Sequence, residues 1–181
     1  MRERSSVELP YAERDLPSDE DVEQEVMGRI ERDLIQLHAI TDAHFSLRPD
    51  LFLVDSVPRA DIAAQFARYF HRESPWDFPP YTKGDESEDL PVWLIRSQRV
   101  RGSVPLAAGA VGMRRYGDGW ALKWIWIHPW ERGKLVRHNP TPDVVFDLLD
   151  ELYGEFRVEG PVTAAMRGLM TRRKYGPDRV I

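Results

Sequence analysis

Between residues 106 and 159 the sequence runs strand, tight turn, strand, helix, strand, and that order leaves few ways to fold. Trp120 to His128 alternates, with Trp120, Leu122, Trp124, Trp126 and His128 on one side and Ala121, Lys123, Ile125 and Ile127 on the other. Leu106 to Arg115 is a run rich in small residues, and Tyr116-Gly117-Asp118-Gly119 is a hairpin connection between the two. Val92 to Arg96 adds a short apolar strand before them, so the three make an antiparallel meander. After Pro129 the period changes. Thr141 is suited to a helix N-cap and Pro142 to the first helical position; Val144, Val145, Leu148, Leu149 and Leu152 recur at helical spacing, and Gly154 ends the helix. Glu155 to Glu159 is a short strand, and a last helix comes after Gly160-Pro161 with Val162, Met166, Leu169 and Met170 inward. A strand–helix–strand sequence within one sheet needs a crossover, so strands 120–128 and 155–159 should be parallel neighbours.

The first half is less constrained. Residues 1–18 are expected to form a flexible N-terminal arm, and 19–181 a single domain, a length that can bury a core without staples. Val22, Val26, Ile30, Leu34 and Leu37 predict an amphipathic helix over 19–42. Leu51 to Val54 reads as a buried strand, and Ile62, Ala63, Phe66, Ala67 and Phe70 as one helix face. Residues 73–90 carry three prolines and the acidic group Asp85, Glu86, Glu88 and Asp89, which predicts a long, irregular, flexible acidic loop.

Composition removes several classes of function. The chain has no cysteine, so disulfides and thiolate metal sites are excluded and a cytoplasmic location is expected. No apolar run approaches the roughly 20 residues of a membrane helix, and the first residues lack the apolar core of a secretory signal, so no membrane partner is expected. His38, His44 and His71 lack a carboxylate at ligand spacing, so no metal is expected. The charge is uneven: residues 1–50 hold 6 basic and 13 acidic side chains, 91–137 hold 9 and 2, and 161–181 hold 5 and 1. Two basic segments in an acidic chain point to an anionic ligand or to solvated arginine faces. Arg167, Arg172, Arg173, Lys174 and Arg179 at the C-terminal end admit RNA as a partner, although cations there also suit a helix terminus. Trp120, Trp124 and Trp126 read as core before they read as a stacking platform.

The order of elements resembles the GNAT superfamily of acyl-CoA N-acyltransferases, and Trp126-Ile127-His128-Pro129-Trp130-Glu131-Arg132-Gly133-Lys134-Leu135 resembles its coenzyme A signature. The resemblance spans roughly residues 91–173 and implies an α/β fold of mixed α+β type. An antiparallel meander would run into a β-α-β crossover in one mixed sheet, with helices on both faces. It also implies an N-acetyltransferase that moves an acyl group from acetyl-CoA to an amine acceptor. Trp126, Ile127 and His128 would lie beside the pantetheine arm, on a strand that splays from its parallel neighbour. Arg132, Gly133, Lys134, Leu135 and Val136 would surround the pyrophosphate. The sequence departs from the family pattern at Leu135 and Arg137, where small residues are usual, and at Asn139-Pro140-Thr141-Pro142, which delays the helix. The last helix has Leu169 and Met170 where many members place a tyrosine acid. No catalytic residue is assigned, and His128 reads as a positional residue of the signature before a general base. The alternative is a GNAT-like binding or interaction protein, for RNA or another protein, without chemistry.

Overall fold

The computed structural model describes residues 37–41, 50–74, 76–98, 100, 102–131 and 141–181. The expected arm over 1–18 and nearly all of the helix expected over 19–42 lie outside the described residues. The described elements are β1 (His38–Ala39), β2 (Leu51–Leu53), α1 (Val57–Glu73), β3 (Val92–Arg96), β4 (Leu106–Tyr116), β5 (Gly119–Ile127), α2 (Thr141–Tyr153), β6 (Arg157–Val158) and α3 (Ala164–Arg172), with short 3-10 turns at Pro129–Glu131 and Pro177–Arg179. They form one mixed six-stranded sheet in the order β2-β3-β4-β5-β6, with β1 joined to β4. All pairings are antiparallel except β5 with β6, which is parallel as the crossover requires.

Two apolar clusters lie on opposite faces of the sheet. On one, Ala63, Phe66 and Ala67 of α1 pack on Leu94, Ala110, Trp124 and Trp126. On the other, Val145, Phe146 and Leu149 of α2 and Leu169 and Met170 of α3 pack on Ile95, Val111, Met113, Leu122 and Ile127. Arg59 ties α1 to the edge of the sheet. Its guanidinium is buried, donates to the Leu53 carbonyl at 2.7 Å and pairs with Asp55 at 3.2 Å.

β5 departs from simple alternation. Gly112 lies opposite Trp124, but Met113 lies opposite Leu122, so Lys123 is an extra residue in β5. Such a bulge reverses the side-chain phase and bends the strand. Trp120 and Leu122 therefore face α2 and α3, whereas Trp124 and Trp126 face α1. The three tryptophans expected on one side are divided between two cores. Gly112 makes room for this arrangement, because a Cβ there would come within 2.1 Å of the Trp124 indole nitrogen.

His38 and Ala39, expected to end a helix, form a strand instead. β5 leaves the sheet at Pro129, and this exposes the edge of Leu106 and Ala107 that β1 then takes. Ile40 comes next, with its N–H on the Pro105 carbonyl at 2.9 Å and its side chain buried. An open sheet edge outweighs helical periodicity over so short a segment. The strand expected at 155–159 is reduced to Arg157–Val158, and its far edge is taken by the C-terminus: Ile181 donates to Val158 at 3.0 Å and Gly160 to Ile181 at 2.8 Å.

The acidic loop is more structured than its composition suggests. Thr82 donates through both its N–H and its hydroxyl to Asp85, at 2.8 and 2.7 Å; Tyr81 donates to Glu86 at 2.8 Å, and Lys83 pairs with Asp61 at 2.8 Å. Polar turn chemistry adds to the burial of Tyr81, whose ring stacks on Trp124 in the α1-side core, in ordering this loop.

Two glycines should respond in opposite directions. A Cβ at Gly109 would sit 2.2 Å from the Trp126 carbonyl oxygen, a backbone atom that cannot swing away. Gly109→Ala should cost about 2–3 kcal/mol in urea unfolding. Gly168, in α3, meets nothing within 4 Å, and Gly168→Ala should stabilise by about 0.5–1 kcal/mol.

Candidate functional site

The parallel contact between β5 and β6 is short. Ala121 lies opposite Arg157 and Leu122 opposite Val158, and Glu159 donates to the Leu122 carbonyl at 2.9 Å. Among the described residues, no strand pairs with that edge of β5 from Lys123 to Ile127. The bulge lies where the pairing stops. Past it, His128 donates its N–H to Ala108 at 2.6 Å, and Trp126 lies opposite Ala110, so these residues turn their main-chain groups toward β4. By alternation, Ile125 and Ile127 turn theirs to the open edge. The Ile127 side chain belongs to the buried cluster that also holds Val145, Leu169 and Met170.

This geometry sorts the residues singled out in the sequence. Ile127 presents its amide to the open edge, while Trp126 and His128 present theirs to β4. Ile125 joins Ile127, which alternation without the bulge would not have indicated. Arg132, Gly133, Lys134, Leu135 and Val136 lie outside the described residues. The Trp126 side chain is in the α1-side core, stacked on Phe66 at 5.2 Å and donating from Nε1 to Glu73 at 3.0 Å. His128 is fully buried, edge-on to Trp126, with its carbonyl accepting from the Glu131 N–H at 2.7 Å. A ring so enclosed suits a positional role better than that of a base exchanging protons with substrate.

Sequence reasoning missed Glu131. Its side chain is 1% exposed. One carboxylate oxygen accepts from the Ser97 hydroxyl; the other accepts from Thr141 Oγ1 at 2.7 Å and the Gln98 N–H at 3.2 Å. The Thr141 hydroxyl expected to cap its own helix is used here instead. Glu131 thus joins the end of β3, the turn after β5 and the first residue of α2, the last two being the boundaries of residues 132–140. The only sequence signal was an acid amid basic residues.

Of the basic C-terminal residues, Arg173 and Arg179 are half-buried and paired with carboxylates, while Arg167, Arg172 and Lys174 are exposed. Arg173 reaches Asp147 at 2.6 Å and Asp150 at 3.0 Å, Arg179 reaches Glu155 at 3.3 Å and stacks on Tyr175 at 4.0 Å, and Arg167 donates to Val162 at 2.7 Å. Burial disfavours the Arg173 charge, but hydrogen bonds with Asp147, Tyr175 and Asp150 outweigh it and raise its pKa. Tyr175 donates to Asp150 and packs on Phe146 and Phe156. Its phenol is raised above its ordinary pKa by burial first and by Asp150 second.

Among the described residues there is no group of three or more His, Asp or Glu placed to hold a metal, and no helix long and apolar enough to cross a membrane. No protein-family model, curated protein or solved structure matches the chain.

Two measurements test this arrangement. Glu131→Ala removes the acceptor of two hydroxyls and an N–H and opens a cavity, so it should cost about 3 kcal/mol in urea unfolding; an unchanged midpoint would mean the cost of burying the carboxylate cancels its bonds. Tyr175 has a folded pKa above its unfolded value of 10.0, so its contribution is complete below pH 10 and lost as pH rises through the raised value. Tyr175→Phe should therefore lose stability less steeply above pH 10, with a residual slope from Tyr81 and Tyr153, which burial also raises.

Proposed function

We propose that the chain is a GNAT-like N-acetyltransferase that binds acetyl-CoA along the open edge of β5 and passes the acetyl group to an amine. The observation that carries this reading is the early end of the β5–β6 pairing, which leaves the Ile125 and Ile127 amides without a strand partner among the described residues. The pantetheine arm carries two amides and suits such an edge, on which it can lie as a strand would. A main-chain N–H at the same edge can also polarise a thioester carbonyl. The edge ends at Pro129, beside the sequence that resembles the pyrophosphate loop. That segment contributes Arg132, Lys134 and Arg137, a sequence argument for anion binding.

The chemistry available is mainly positional. The neutral amine nitrogen attacks the thioester carbonyl carbon, and a C–N bond forms as the C–S bond breaks. The amine proton passes to solvent, and coenzyme A leaves as a thiolate that solvent protonates. Holding the two reactants together and stabilising the oxyanion supply the acceleration.

One observation favours a second reading, an acyl-CoA-binding protein without turnover. Leu169 and Met170 are buried in the last helix and carry no proton, and the phenol of Tyr175 is tied to Asp150. Calorimetry with acetyl-CoA, then acetyl transfer to a panel of primary amines, separates the two. Acetyl-CoA at about 100 times its Kd should add about 2.7 kcal/mol, a rise in Tm of about 5–10 °C. Heat and shift without product on any amine would favour the binding protein. No heat and no shift would overturn both.

A further inference from the structure

The short strand that takes the exposed edge of β4 carries an imidazole in a place that suits its neutral form. In β1, His38 lies opposite Ala107 and Ala39 opposite Leu106. Ile40 continues the pairing, with its N–H on the Pro105 carbonyl at 2.9 Å and its side chain buried. His38 is partly buried, and its ring stands at 72° to that of Phe66 on α1, with 5.6 Å between the centres. Its Nε2 is enclosed and has no hydrogen-bond partner among the described residues. Phe66 beside it is fully buried and offers a ring in place of a lone pair. On β4, the arginines Arg114 and Arg115 lie at the other end of the strand from Ala107. On α1, the residues one turn either side of Phe66 are Ile62, Ala63, Tyr69 and Phe70. Of these Tyr69 alone titrates, and its hydroxyl is engaged with Gln65. Glu73, two turns on from Phe66, is bonded to the Trp126 indole, and His128 stands edge-on to that indole. Arg68 and Arg72 are exposed. Burial lowers the His38 pKa from its ordinary 6.5, and no charge among the described residues opposes it.

An imidazolium donates from both ring nitrogens and needs an acceptor or water at each. The docked ring gives Nε2 neither, so a proton is taken up more readily once β1 has left the sheet and the ring is in water. We infer that His38 makes β1 a proton-sensitive latch: residues 37–41 stay in the sheet while the ring is neutral, and release the edge of Leu106 and Ala107 when it takes up a proton. The contacts to be undone are two residue pairs, the Ile40 N–H and the Ile40 side chain. Release is therefore local, and the meander of β3, β4 and β5 keeps its own pairings. The folded ring binds a proton more weakly than the free one. Docking is thus complete above pH 6.5 and weakens as pH falls below it toward the lowered folded value. The inference is independent of the acyl-transfer reading.

Hydrogen exchange at the Ile40 amide of the full chain, followed by nitrogen–proton correlation spectra, tests the latch. That N–H exchanges when its bond to Pro105 opens, and the opening is read after correction for the intrinsic effect of pH on exchange. Opening should rise by about two- to tenfold from about pH 7.5 to about pH 5.5, tenfold being the limit for one proton with a free pKa of about 6.5. His38→Phe keeps a ring against Phe66 and has no proton to bind, so its Ile40 amide should show no such rise. No rise in the natural chain would overturn the inference. So would an equal rise in His38→Phe, which would assign the effect to other groups such as His71 or His128. If His38→Phe does not fold, titration of the His38 ring resonances in the natural chain decides. A midpoint below pH 6.5 is expected, and one at or above it overturns the latch.

Discussion

One extra residue in β5 governs both faces of the sheet. Lys123 stands opposite the Gly112–Met113 step, and every side chain beyond it changes sides. Without it, Trp124 and Trp126 would point at α2 and α3, and Ile125 and Ile127 at α1. Two cores sized for those residues would then be wrongly filled. The same phase change rotates the main chain. Leu122 offers its carbonyl to β6, yet Trp126 and His128 turn their main-chain groups to β4. Core composition and open edge are thus consequences of one insertion, and Gly112 is the residue that gives the re-aimed indole its place.

The far end of β5 is fixed by polar contacts. A buried carboxylate is costly unless its oxygens are satisfied, and among the described residues Glu131 meets this with two hydroxyls and an N–H. The donors come from distant places in the sequence: the turn after β3 gives Ser97 and Gln98, and α2 gives Thr141. The C-terminus is held in a different way, by Arg173 and Arg179 against Asp147, Asp150 and Glu155 around the Tyr175 ring. Two of the five basic residues of 161–181, Arg173 and Arg179, thereby balance the acidic face of α2, and Arg167, Arg172 and Lys174 stay exposed.

What could be read in the sequence was what rests on local pattern. The meander, the crossover helix and the inward face of α3 come from alternation, helical spacing and the glycines at 117, 119 and 154. The division of the tryptophans could not be read, because a bulge is a fact about the partner strand: nothing near Lys123 shows that Gly112 and Met113 will straddle it. His38–Ala39 was lost for the same reason, since its conformation depends on β5 leaving the sheet about 90 residues later. Glu131 was passed over because its value lies in Ser97 and Thr141, distant in sequence and ordinary in type. The acidic loop misled in the other direction: Thr82 and Asp85 form a local turn that composition counts only as polarity.

Among the described residues, little titratable chemistry surrounds the open edge. Ile127, Val145, Leu169 and Met170 belong to one buried cluster on the α2 side of the sheet, His128 is enclosed, and Tyr175 is engaged with Asp150. Apolar side chains near amides that have no strand partner among the described residues lower the local dielectric, which strengthens a hydrogen bond to a developing oxyanion. On the acyl-transfer reading, the barrier is lowered by preorganisation, and the proton inventory is left to the amine and solvent.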